Sequence, residues 1–169
     1  MTAATFQSTV NIQLGFGVVG ELITDGPQRV ESLTLDSVGG TVGFGFTKSN
    51  TTGVATMGGT ATPGTSVFAG ILVNPKVYAT NGPSSGALDP TLTLPPYTQG
   101  EFLTMGTIIV SLTGAANIGD IVQMNETTGA LSALQPGSTV TAGNQFIPNC
   151  VVYRYPTTAA GLVAIRITD

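Results

Sequence analysis

Carboxylates are the first residues to weigh for chemistry in this sequence, because it contains no histidine and a single cysteine. A general acid and a general base of the kind that cleave glycosidic bonds require two carboxyl groups at a fixed separation. The candidates are Glu21, Asp25, Glu31, Asp36, Asp89, Glu101, Asp120 and Glu126, and their spacing singles out no pair. Asp25, Asp89 and Asp120 adjoin Gly, Pro or other turn residues, where an aspartate side chain ordinarily stabilises the turn itself. Ser-His-Asp and Cys-His catalysis, and metal sites built on His or several Cys, are excluded by composition. A calcium loop needs a dense Asp/Asn cluster, and residues 120–126 do not form one. No catalytic residue, metal or cofactor is assigned. Cys150 has no partner for an intrachain disulfide and lies in the apolar run Cys150-Val151-Val152, which reads as a small buried hydrophobe.

One nucleotide-binding motif is present by letter. Residues 15–20 spell GxGxxG, with Asp36 near the distance where a ribose-binding acid would be sought. The motif works by opening a helix whose N-terminal N–H groups meet pyrophosphate. Here Glu21 to Pro27 reads as a strand followed by a turn, so glycines at the start of a strand or at a bulge are the better account.

The elements that must position these residues follow from composition. Of 169 residues, 8% are charged and 41% hydrophobic, and the mean hydropathy is +0.33. An average protein carries about 25% charged residues. Gly (23), Pro (10) and Thr (27) are abundant, which disfavours long helices and favours strands and turns. The length fits one domain, residues 1–169. The net charge of −4, with Arg29, Lys48, Lys76, Arg154 and Arg166 far apart in sequence, argues against nucleic acid. Residues 102–119 lack charge, but Thr, Ser, Asn and Gly interrupt them, so no membrane span is expected. The N-terminus has neither the basic nor the apolar region of a secretory signal, which points to cytoplasmic synthesis.

Alternation of apolar and polar residues over 6–14 predicts a strand with one buried face. Residues 18–24 and 28–35 read as a hairpin about Asp25-Gly26-Pro27. Val42, Phe44 and Phe46 alternate with Gly43 and Gly45, leaving one face open to close approach. Residues 67–73 read as a buried strand. Residues 80–100 hold too much proline for a sheet interior and read as a long surface excursion. Strands follow at 101–105 and 107–112. Residues 120–124 and 130–133 read as a hairpin with Gly129 at its turn, and 151–155 with 162–167 as another pair. About ten short strands without an amphipathic helix predict an all-β fold, an antiparallel sandwich or barrel.

Several segments, taken in order, resemble the cement (decoration) proteins that coat the capsids of tailed bacteriophages. They are residues 20–27 (GELITDGP), 46–48 (FTK), 68–76 (FAGILVNPK), 100–106 (GEFLTMG), 119–122 (GDIV), 128–131 (TGAL) and 147–149 (IPN). The resemblance implies a jelly-roll-like antiparallel β-sandwich and no enzymatic activity. It implies a dimer or trimer on the outer surface of the virion, made in the bacterial host cytoplasm. The implied partner is the major capsid protein of the phage head, whose expanded shell it would bridge and stabilise.

That role suits a chain with more apolar surface than a 169-residue monomer easily hides. Two stretches are candidate contacts with capsid or subunit. The first is residues 2–14, with Thr2, Phe6 and Val10, because a terminal strand or arm (residues 1–19) can add to a neighbour's sheet. The second is Leu94-Pro95-Pro96-Tyr97, because a proline-stiffened loop loses little entropy on docking. An ordinary edge strand and an ordinary loop are the alternatives. A different class of function is a glycan- or surface-binding sandwich module, as in appendages and lectins. Sugar binding favours exposed aromatic rings, and this chain has no Trp and four Tyr.

Overall fold

The computed structural model of the protein describes residues 17–74 and 93–168. Among the described residues there are twelve strands and no helix: β1 Leu22–Ile23, β2 Arg29–Thr34, β3 Gly40–Thr41, β4 Gly45–Ser49, β5 Ala55–Met57, β6 Ser66–Leu72, β7 Thr93–Leu94, β8 Gln99–Leu112, β9 Ile121–Asn125, β10 Leu131–Leu134, β11 Asn144–Arg154 and β12 Gly161–Ile167. The all-β expectation holds. Not all the strands are short, because β8 runs for 14 residues and β11 for 11.

The pairings form two rings that share β8. One runs β8–β12–β11–β9–β10 and returns through a parallel bridge between Leu131 and Leu112, with the Thr113 N–H donating to the Leu131 carbonyl at 3.0 Å. The other runs β2–β8–β6–β4–β5 and returns through a bridge between Leu35 and Ala55, with the Asp36 N–H donating to the Ala55 carbonyl at 3.0 Å. Rings of this kind leave few unpaired strand edges, which in an apolar protein would invite aggregation.

Side chains alternate along each strand, so every second residue points into a ring. Ile108, Val110 and Leu112 of β8 meet Val163, Ile165 and Ile167 of β12, Val152 and Cys150 of β11, and Val122 and Met124 of β9 in one buried cluster. Leu35, Phe46, Ala55, Leu72, Leu94 and Phe102 form the second. β6 and β8 partition the two: Leu72 and Phe102 face the second cluster, while their neighbours Ile71 and Leu103 face the first. Each fully buried side chain of this size contributes about 1.5–3 kcal/mol. Phe46 and Phe102 meet edge to face, ring centroids 5.0 Å apart.

Gly45 lets the rings approach. A Cβ there would sit 2.6 Å from the Met124 sulfur, and the Gly45 N–H donates to the Gly129 carbonyl at 2.9 Å. Of the strand expected at 42–46 only residues 45–46 lie in β4, Val42 and Gly43 forming a turn, and the close approach expected there is used by the other ring at Gly45. The hairpin of β9 and β10 forms with Leu131 opposite Met124, and Asn125 Oδ1 accepts from the N–H groups of Thr127 and Thr128 at 3.0 and 2.9 Å. β11 and β12 pair as expected, with a bulge between Val152 and Arg154.

Two further sequence expectations are corrected. β1 and β2 do not pair with each other. Both run antiparallel to β8, Leu22 opposite Ile108 and Val30 opposite Leu103, so the Asp25-Gly26-Pro27 segment is a detour along one course instead of a hairpin turn. The expected break at Gly106 is absent, because its φ of 130° bends β8 at the point where its partners change, without ending it.

Candidate interaction surfaces

β3 and β7 pair through Gly40 opposite Leu94 and Thr41 opposite Thr93, and this short ladder carries the loop that follows. Leu94 is 2% exposed and anchors the loop in the second cluster. Pro95, Pro96 and Tyr97 are exposed, Tyr97 to 72%. The Tyr97 N–H donates to the Asp36 carbonyl at 3.1 Å, the Thr98 hydroxyl to the Pro95 carbonyl at 2.7 Å, and the Leu35 N–H to the Thr98 carbonyl at 2.8 Å. Facing it, the turn 36–39 is closed by the Val38 N–H on Asp36 Oδ1 at 2.8 Å. Gly39, at φ 81°, nests against Leu94 and the two prolines, where a Cβ would overlap the Leu94 carbonyl. Tyr97 itself has φ 60°, a costly conformation for a bulky residue that the surrounding bonds hold. Two firmly tied loops therefore each offer an exposed apolar side chain, Tyr97 and Val38 (67% exposed). Thr2, Phe6 and Val10 lie outside the described residues.

A second surface gathers residues remote in sequence. Asp25, from the detour between β1 and β2, accepts from Arg166 Nη2 at 2.9 Å and pairs with Arg154 Nη2 at 3.2 Å. The Thr107 hydroxyl donates to Asp25 Oδ1 at 3.0 Å and accepts from Arg166 Nε at 3.2 Å. Both guanidinium groups lie over the Tyr153 ring, Arg166 at 3.5 Å and Arg154 at 4.7 Å from its centroid, within cation–π range. Burial alone would raise the Asp25 pKa, but the Thr107 hydrogen bond and the two guanidiniums outweigh it and leave the carboxyl below its ordinary value. Two cations expected to lie apart thus meet, carried on the paired strands β11 and β12, and Asp25 is the anchor of their cluster as well as part of a turn. One cue was Arg166, the single charged residue in the apolar run of β12.

The other carboxylates are dispersed. Asp36 and Asp120 close turns, Asp120 Oδ2 accepting from the Asn117 N–H at 2.8 Å, and Glu21 Oε2 accepts from the Val18 N–H at 3.0 Å. Glu31 pairs with Lys48 at 2.6 Å. Among the described residues no three Cys, Asp or Glu gather as a metal site would require. At the end of the GxGxxG stretch, the Gly20 N–H donates to the Ile109 carbonyl at 2.7 Å, leading into β1 where the nucleotide motif would need a helix. Cys150 is 1% exposed in the first cluster, and burial pushes its thiol pKa up, away from reactivity.

These features define an all-β protein with two surfaces whose exposed groups are suited to contact. Residues 6–168 match the family described as "Structural cement protein (E217 gp24/Pam3 gp6)", and the chain belongs to that family. It is a bacteriophage structural protein with a cement role at the capsid. No curated protein matches the sequence. Among solved structures, a chain in "The capsid of Myoviridae Phage XM1" shares the fold, with 22% identity, a TM-score of 0.67, and coverage of 97% of this chain and 98% of that one.

Proposed function

We propose that the protein binds the outer surface of the major capsid protein shell and stabilises the expanded phage head, acting as a homo-oligomer, a dimer or trimer. The observation that carries this reading is the tied platform of Val38 and Tyr97, apolar side chains held out on loops with little left to order on docking. Leu94 anchors that platform, Pro95, Pro96 and Tyr97 make the contact, and residues 2–14, with Thr2, Phe6 and Val10, supply a second one as an arm. The whole chain, residues 1–169, acts as one domain in this reading, with residues 1–19 as arm or edge strand. In this reading the antiparallel pairing of β8 with β12, β2 and β6 belongs to a jelly-roll-like sandwich. Synthesis in the host cytoplasm precedes attachment to the outside of the virion.

An oligomer that bridges several capsid subunits gains from effective concentration, so modest contacts suffice for retention. Binding that favours the expanded shell stabilises it by linkage. DNA-filled heads lacking the protein, heated with and without it, test the reading: added protein raises the temperature of DNA release. Release at the same temperature, with the protein folded and present in excess, contradicts it.

A further inference from the structure

Among the described residues two guanidinium groups face a single carboxylate at the Asp25 cluster, so these three side chains carry one unit of excess positive charge on a protein whose net charge is −4. Among the described residues no second carboxylate pairs with Arg154 or Arg166. Their side chains are 42% and 31% exposed. Beside them a cleft of about 290 Å³ opens between the Asp25-Gly26-Pro27 detour, the bend of β8 at Gly106 and the end of β12, lined by Pro27, Met105, Gly106, Ile167 and Thr168.

We propose that this cluster and cleft form a docking site for an acidic segment of the capsid shell protein, whose Asp or Glu carboxylate pairs with Arg154 while its neighbouring residues occupy the cleft. The inference rests on the capsid-binding reading above and names the chemistry of one contact within it. Charge complementarity selects the occupant. A guanidinium presents a planar fork of donors that fits a carboxylate with two parallel hydrogen bonds. One excess charge is far short of what neutralising a nucleic-acid backbone demands. The cluster is also ordered in advance: Tyr153 stacks under both guanidiniums, and Arg166 is fixed by Asp25 and Thr107, so little side-chain freedom is lost when the carboxylate arrives. Arg154, the more exposed cation, keeps donor capacity beyond its ion pair with Asp25 and its hydrogen bond to the Tyr153 hydroxyl.

The test compares wild type, Arg154→Gln, Arg154→Lys and Arg154→Glu in binding to expanded heads at about 0.05 M and about 0.5 M salt, where screening differs severalfold. Melting curves first establish that each variant is folded. At low salt the expected result is at least a tenfold weaker affinity for Arg154→Gln and a larger loss for Arg154→Glu. Arg154→Lys, which keeps the charge and loses the fork, falls between wild type and Arg154→Gln. The difference shrinks at high salt. Wild-type affinity in Arg154→Gln and Arg154→Glu overturns the site and leaves the capsid reading standing. A loss of equal size at both salt concentrations also overturns it, because packing and not charge is then responsible. Altered self-association with unchanged head binding assigns the cluster to a subunit contact and overturns it as well. If the wild type binds no heads at all, the capsid reading fails first and this inference with it.

Discussion

Lys48 Nζ donates to both carboxylate oxygens of Glu31, at 2.6 and 2.7 Å, from the inward-facing side of its strand. Two residues before Lys48 on β4, Phe46 is fully buried, and Glu31 on β2 stands directly opposite Phe102 of β8. The pair therefore closes the mouth of the second ring, with the aliphatic stem of Lys48 continuing the apolar interior and its charge reaching the rim.

Because the two side chains remain 26% and 41% exposed, their coupling is modest. A double-mutant cycle on Lys48→Met and Glu31→Gln is expected to give about 0.5–1 kcal/mol, diminished in 1 M salt. Chemical denaturation of the four proteins measures it. A coupling near zero at low salt contradicts the closure.

Phe102 belongs to the strand shared by both rings and meets Phe46 edge to face. Phe102→Ala is expected to cost about 3–5 kcal/mol and to lower the melting temperature by on the order of 10 °C. Scanning calorimetry checks this. A loss below about 1 kcal/mol would mean that the second ring does not depend on its aromatic pair.

Asp25 makes stability depend on acid. Its carboxyl titrates below the ordinary value of 3.8 in the folded protein, so the unfolded chain takes up its proton first as pH falls. The contribution is fully present above pH 3.8 and is lost progressively as pH drops through the folded-state value. Asp25→Asn is therefore expected to be less stable than wild type at neutral pH, with the difference narrowing below pH 4. Melting temperatures from about pH 7 to about pH 2 read this out. A gap that stays constant with pH contradicts the ion-pair account.

Cys150 should resist thiol reagents in the native protein and react on unfolding. Cys150→Ser places a hydroxyl among Val152, Ile165 and Val122 and is expected to cost about 1–3 kcal/mol. Rapid labelling of the folded chain would contradict the burial.

Local chemistry made some of this fold legible and topology hid the rest. The β9 and β10 hairpin could be read because Asn125 and Gly129 encode their own turn. Asp25-Gly26-Pro27 carries the same kind of signal, yet a turn motif does not say which strand receives the chain next, and β8 takes both sides of it. Gly106 looks like a break because glycine weakens strands, and only the exchange of partners around it explains its place inside one. The Asp25 cluster was beyond local reading, since Asp25 and Arg166 are separated by 141 positions. Tyr97 was accessible from its prolines, whereas the buried anchoring of Leu94 depends on β3, more than 50 residues earlier.

The most direct measurement of the central claim is the number of bound copies per capsid subunit after mixing the purified protein with undecorated expanded heads and with unexpanded procapsids of its phage. Saturation at a fixed ratio on expanded heads, with weaker binding to procapsids, is the expected result. Absence of saturable binding to expanded heads by the folded protein would contradict the cement role on the shell's outer surface.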